Sequence, residues 1–148
     1  MRSLAVFLCC CVLLCGGMPS HAQTSDVAGK RGIEAVPGFI MAGLKAYRDS
    51  GPDEAIRTWV KGRPIEGSKD VLAQANSLRQ VQEFYGPYQA FEIINIRDLG
   101  PRTRVLYLIL DLEKGPLFAK FVVYHATQGW VLANFSFNTH DEAVFPLF

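Results

Sequence analysis

Between Phe121 and His140 the chain reads FVVYHATQGWVLANFSFNTH, an apolar run broken by His125, Trp130, Asn134, Ser136, Asn138 and His140. Histidine exchanges protons near neutrality, and asparagine or serine set among apolar groups supplies directional hydrogen bonds. Such a set suits proton transfer or the anchoring of a ligand. For general acid/base catalysis the better bases are carboxylates: Glu92 in AFEII and Asp111 in LILDLE, with Tyr107 as a donor able to stabilise an oxyanion. Burial would raise the pKa of either carboxylate into a useful range.

Other chemistries lack their residues. No glycine-rich strand-to-helix turn exists to cradle a phosphate or a dinucleotide, and neither Ser68 nor Ser136 stands in a nucleophile elbow. His140-Asp141-Glu142 offers metal ligands in sequence, but no second cluster stands at a ligand spacing, so neither metal nor cofactor is expected. Asn134-Phe135-Ser136 fits a glycosylation acceptor yet falls inside an expected strand.

Cysteine chemistry disappears for a different reason. Arg2, the apolar stretch Leu4 to Leu14 and the small residues flanking His21 have the layout of a leader cleaved after Ala22. The apolar stretch ends at Gly16-Gly17, too soon to span a bilayer comfortably, so no stable membrane span is expected after cleavage. Cys9, Cys10, Cys11 and Cys15 all lie within this leader, and Leu8 and Leu14 precede the cysteines that a lipoprotein signal would use. The mature chain therefore has no thiol and no disulfide, and is long enough to be held by its core alone. Its expected location is the bacterial periplasm or the exterior. Taking Arg2 from the 15 Lys plus Arg leaves as many cations as the 14 Asp plus Glu, a balance that argues against nucleic acid or an anionic membrane as partner.

The elements that must position the reactive residues are punctuated by Gly-Pro pairs at 51–52, 86–87, 100–101 and 115–116. Residues 1–22 read as the leader, 23–33 as a polar lead-in, and 34–148 as one domain. Helical spacing runs from Pro37 to Asp49, from the acidic start at Asp53-Glu54 to Gly62, and from the cap Ser68 to Tyr85. The last of these carries Val71, Leu72, Ala75, Leu78, Val81 and Tyr85 as its apolar stripe.

The period then changes to two. Strands are expected at 88–98, 103–113, 117–126 and 130–139, joined by short turns into an antiparallel meander. With Lys114-Gly115 and Gln128-Gly129 as central turn residues, one face carries Leu106, Leu108, Leu110, Phe121, Val123, His125, Trp130, Leu132, Asn134, Ser136 and Asn138. The reverse carries Tyr107, Ile109, Asp111, Phe118, Lys120, Val122, Phe135 and Phe137. Arg104 then sits opposite His125 at a polar rim, Asp111 lies diagonal to Lys120, and Tyr88, Glu92 and Asp98 share one side of the first strand. Both faces are too apolar for water. Two covers suit the reverse face: a second copy, giving an isologous homodimer, or the chain's own AVFPLF terminus.

Three helices followed by a curved meander, with GW opening the last strand and LANFSF continuing it, resemble the NTF2-like, cystatin-like group of α+β cones. AIRTWVKGRP, YGPY, EKGPLFAKFVVY and FSFNT are similar to stretches of small secreted bacterial proteins in that group. The resemblance implies a pocket between helices and sheet and brings no activity with it, since the fold hosts enzymes and binding modules alike. The function expected is non-catalytic binding of a small apolar ligand or a protein partner, with Asn134, Ser136 and Asn138 as polar anchors, Trp130 beside them and His125 at the rim. The alternatives are a lyase or isomerase using a pocket carboxylate and tyrosine, and a periplasmic scaffold or assembly factor.

Overall fold

A computed structural model describes residues 32–145. The leader and all but the last two residues of the lead-in lie outside the described residues. The α+β arrangement is the expected one: three helices packed on a curved four-stranded antiparallel meander.

Local rules explain the helices. The first, α1 (Gly38–Ser50), starts after Pro37 and buries Ile40, Gly43, Leu44 and Tyr47, one stripe at helical spacing. Gly51 stops it at φ +87°, a conformation that costs glycine least, with its N–H donating to the Tyr47 carbonyl. The second, α2 (Pro52–Val60), uses Pro52 where no intrahelical donor is needed and sets Asp53 and Glu54 against the positive end of the helix dipole. In α3 (Lys69–Tyr85) the Ser68 hydroxyl accepts a hydrogen bond from the Val71 N–H at 3.3 Å. Its buried stripe is Val71, Ala75 and Leu78, whereas Leu72, expected inside, is 59% exposed.

The helices close on the sheet around Trp59. Its ring is fully buried, its indole N–H donates to the Ile40 carbonyl at 3.0 Å, and it meets the Phe121 ring edge-on at 5.1 Å. A Cβ on Gly43 would lie 2.0 Å from the indole nitrogen, so glycine is what lets α1 and α2 approach. Leu78, Leu106, Leu108, Leu110, Leu117 and Phe121 are fully buried as well. The space between helices and central strands is thus a packed core rather than the pocket that the resemblance implies.

Sheet order is β1 (Tyr88–Gly100), β2 (Thr103–Leu112), β3 (Gly115–Ala126), β4 (Gly129–Asn138). Leu112 pairs with Gly115, so the turn centres on Glu113-Lys114, and Asp111 faces Pro116 rather than Phe118. A slip of two residues keeps every side chain on its expected face. It does, however, dissolve the expected Asp111–Lys120 pair, because Lys120 now lies opposite Tyr107. Val123 pairs with Leu132 but Val122 pairs with Asn134, leaving Ala133 as the extra residue of a β-bulge. Beyond it the faces exchange. Phe135 and Phe137 turn into the core, where they join Trp59 and Phe121, and Asn134, Ser136 and Asn138 turn to the reverse face.

The reverse face receives the end of the chain. A 3-10 turn (Asp141–Ala143) sends Val144 onto Val105 and Tyr107, and the Phe145 ring stands edge-on to Tyr107 at 5.5 Å and to Phe118 at 5.4 Å. Of the two covers, the chain's own terminus is therefore in place over part of this face. No helix of the described residues is long and apolar enough to cross a membrane.

Candidate functional site

The polar residues of the last strand do not meet in a pocket. The bulge at Ala133 places Asn134 opposite Val122 and Ser136 opposite Lys120, on the side away from the helices. Asn134 is exposed, the Ser136 hydroxyl is buried with no protein partner, and the Asn138 side-chain oxygen Oδ1 accepts from the His140 N–H at 2.9 Å as a local turn cap. Asn134 also touches a crevice between α3 and β4, of only about 70 Å³.

His125 pairs with Trp130 and meets its ring edge-on at 5.0 Å, while its backbone N–H donates to the Arg102 carbonyl. It does not face Arg104, which lies opposite Val123 because of the same two-residue slip. Arg104 instead builds the polar end of the sheet. Its Nε donates to Asp98 at 2.7 Å, its Nη1 donates to the Ala35 carbonyl at 2.8 Å, and its guanidinium carbon stands 5.0 Å from the Trp130 ring centroid. The hydrogen bond from Arg104 holds the Asp98 carboxyl below the usual carboxylate range. This cluster ties the far end of β1 to the segment leading into α1.

Glu92, Asp111 and Tyr107 do share a face, but it is the reverse one. Glu92 is exposed opposite Ile109, Asp111 is half-buried opposite Pro116, and Tyr107 lies beneath Phe145. No hydrogen bond joins them among the described residues. Nor do the described residues contain a group of three His, Cys, Asp or Glu able to hold a metal.

The concave surface lies elsewhere, along the inner side of β1. Irregularities between Tyr88 and Ala90 and between Ile93 and Asn95 break the alternation, so Tyr88, Phe91, Ile93 and Ile96 turn inward together while Glu92 turns out. The expected grouping of Tyr88, Glu92 and Asp98 is split by these bulges. A groove of about 630 Å³ runs between Ile33 and the row Phe91, Ile93, Ile94 and Ile96. Phe91 also lines a second cavity, of about 130 Å³, bounded by Met41, Leu44, Lys45 and Arg48 of α1 and by Tyr88. The two hollows share Phe91 and follow one another along β1 as a trough, the larger lined mainly by isoleucines with Asn95 among them, the smaller cationic where it meets α1.

The floor of that end is a tyrosine pair. Tyr47 and Tyr88 stack at 4.8 Å between centroids, only 3° from parallel, and both hydroxyls are buried without a protein partner. Burial pushes both phenols well above their ordinary pKa, and for Tyr88 the neighbouring Arg48 charge partly offsets the rise. Both therefore stay protonated and can donate. Sequence reading missed this trough. The signal for it was the Ile93-Ile94 doublet, since two adjacent apolar residues in an alternating strand mark a bulge.

Neither a protein-family profile nor a curated protein matches the chain. Among solved structures, the chain is similar to a domain of unknown function with a cystatin-like fold from Nostoc punctiforme. The identity is 11%, the TM-score 0.47, and 80% of each chain is covered.

Proposed function

We propose that the chain is an exported binding module whose ligand is small and apolar, seated in the trough along β1. The groove of about 630 Å³ beside Ile33, Phe91, Ile93 and Ile96 carries this reading. Its size falls within the range of small-molecule sites, and its walls are largely apolar, with Asn95 as a polar side chain among the isoleucines. Export rests on the leader. The acid/base alternative finds no support in the positions of Glu92 and Asp111, which lie across the sheet from the helices.

A neutral apolar dye such as N-phenyl-1-naphthylamine tests the site. Ile33 and Ile94 are 50% and 44% exposed, so Ile33→Glu with Ile94→Glu should leave the circular dichroism spectrum intact. Dye affinity should fall about tenfold or more, as expected when charge enters an apolar pocket. Unchanged affinity would remove the trough from consideration.

A second reading, a scaffold or homodimer that docks a protein partner, has its own observation. Ile109, Val122 and Val131 stay only half-buried on the reverse face, outside the cluster formed with Val144 or at its margin. Sedimentation of the mature chain across a hundredfold dilution tests self-association through this face. A monomer throughout would dismiss the homodimer.

A further inference from the structure

Resting on the trough as ligand site, we infer that its ligand is a carboxylate with an apolar tail, held by the Arg48 guanidinium and the Tyr88 hydroxyl, with the tail along Met41, Leu44 and Phe91.

Arg48 is the first observation. Arg48 has no carboxylate partner among the described residues, a state it shares with other surface cations such as Arg97 and Lys120, but unlike them it lines a cavity. Its position in the last turn of α1 also offsets the helix dipole. That role would account for a cation here, but not for what lies beside it.

Tyr88 is the second. It is 5% exposed, lines the cavity, and its buried hydroxyl has no well-formed hydrogen bond in the protein, with the Arg48 guanidinium as its polar neighbour. Buried polar groups are normally satisfied, and an orphan in a hollow is a donor held for something else. The Arg48 guanidinium carbon lies 5.8 Å from the Tyr88 ring centroid, so a fork of N–H donors and an O–H donor border one small space.

The donor set selects the head group. A carboxylate has two oxygens in one plane and suits a guanidinium plus one further donor. A phosphate has more oxygens to satisfy, and although α2 begins just beyond the end of α1, none of the residues lining this cavity comes from its N-terminal turn. The cavity of about 130 Å³ takes the head and the first carbons. Phe91 is common to this cavity and to the larger groove, so a longer chain continues along β1.

Octanoate and 1-octanol, titrated by calorimetry into the mature chain, share a tail and differ in the head. Octanoate should bind at least about tenfold more tightly, and Arg48→Gln should bring it down to the affinity of octanol. Tyr88→Phe should weaken octanoate by about threefold to tenfold while raising the Tm of the free protein, because a hydroxyl kept only by structure would not behave so. If octanol binds as tightly as octanoate, or Arg48→Gln changes nothing, the carboxylate assignment falls while the apolar site stands. If neither octanoate nor octanol binds and the neutral dye does not bind either, the trough reading falls with it.

Discussion

The central hairpin and the edge strands of this sheet follow different rules. β2 and β3 pair without a single irregularity from Thr103↔Tyr124 to Leu112↔Gly115, while β1 breaks register three times and β4 once. The central pair is packed by the helices on one side and covered in part by Val144 and Phe145 on the other, so alternation is held on both of its faces. An edge strand has only one ladder to satisfy. It can bulge to turn a particular side chain inward, and bulging also makes the edge a poor template for pairing with other chains. On β4 the free edge is further occupied by Gln74 of α3, whose side-chain oxygen accepts from the Phe137 N–H at 2.9 Å. The edges are where this molecule departs from pattern, and the trough lies along one of them.

Deleting Ala133 attacks that difference most directly. Without the extra residue, β4 must turn Phe135 and Phe137 to water or give up its pairing with β3. A loss of about 4 kcal/mol or more is expected in urea unfolding, from the usual cost of removing buried aromatic packing. A wild-type midpoint would show that the bulge does not orient the pair. Gly43→Ala probes the packed centre, where the added methyl meets Trp59, and should cost about 2 to 3 kcal/mol by overpacking in the same assay. Tyr47→Phe removes an orphan hydroxyl beside β1 and should raise stability by about 1 kcal/mol, seen as a higher Tm. Ile94→Thr, in the β1 bulge and 44% exposed, should change stability by no more than about 0.5 kcal/mol, which a urea melt resolves.

The smallest effect concerns the polar end of β1. Arg104 lowers the pKa of Asp98 in the folded protein, so the ion pair contributes fully above about pH 4 and is lost as pH falls through the lowered value. Asp98→Asn should flatten the acid limb of the stability profile and leave the slope at neutral pH unchanged. An unaltered acid limb would mean that Asp98 carries none of it.

Much of the fold was legible because it is local. Gly51 and Gly86 end helices, Ser68 caps one, and Pro52 opens one, each through interactions within a few residues. The alternation of Leu106, Leu108 and Leu110 likewise names its face without help. The β4 bulge was legible in principle. Leu132 and the pair Phe135 and Phe137 cannot share a face in a regular strand, and two phenylalanines bury more apolar area than asparagine and serine. Reading the strand as regular sent Asn134, Ser136 and Asn138 inward on paper, while the structure turns them out.

The sequence by itself determined the elements, their order, and the absence of any thiol in the chain after the expected cleavage, because composition and nearest-neighbour sterics suffice for these. Only the tertiary structure decided where a hollow remains. Trp59 fills the centre, drawn in by Gly43 and the Ile40 carbonyl, and so the hollows lie along β1, one beside Ile33 and one against α1 next to two tyrosines from separate elements. Voids are set by how side chains distant in sequence share a volume, and no local pattern encodes that sum.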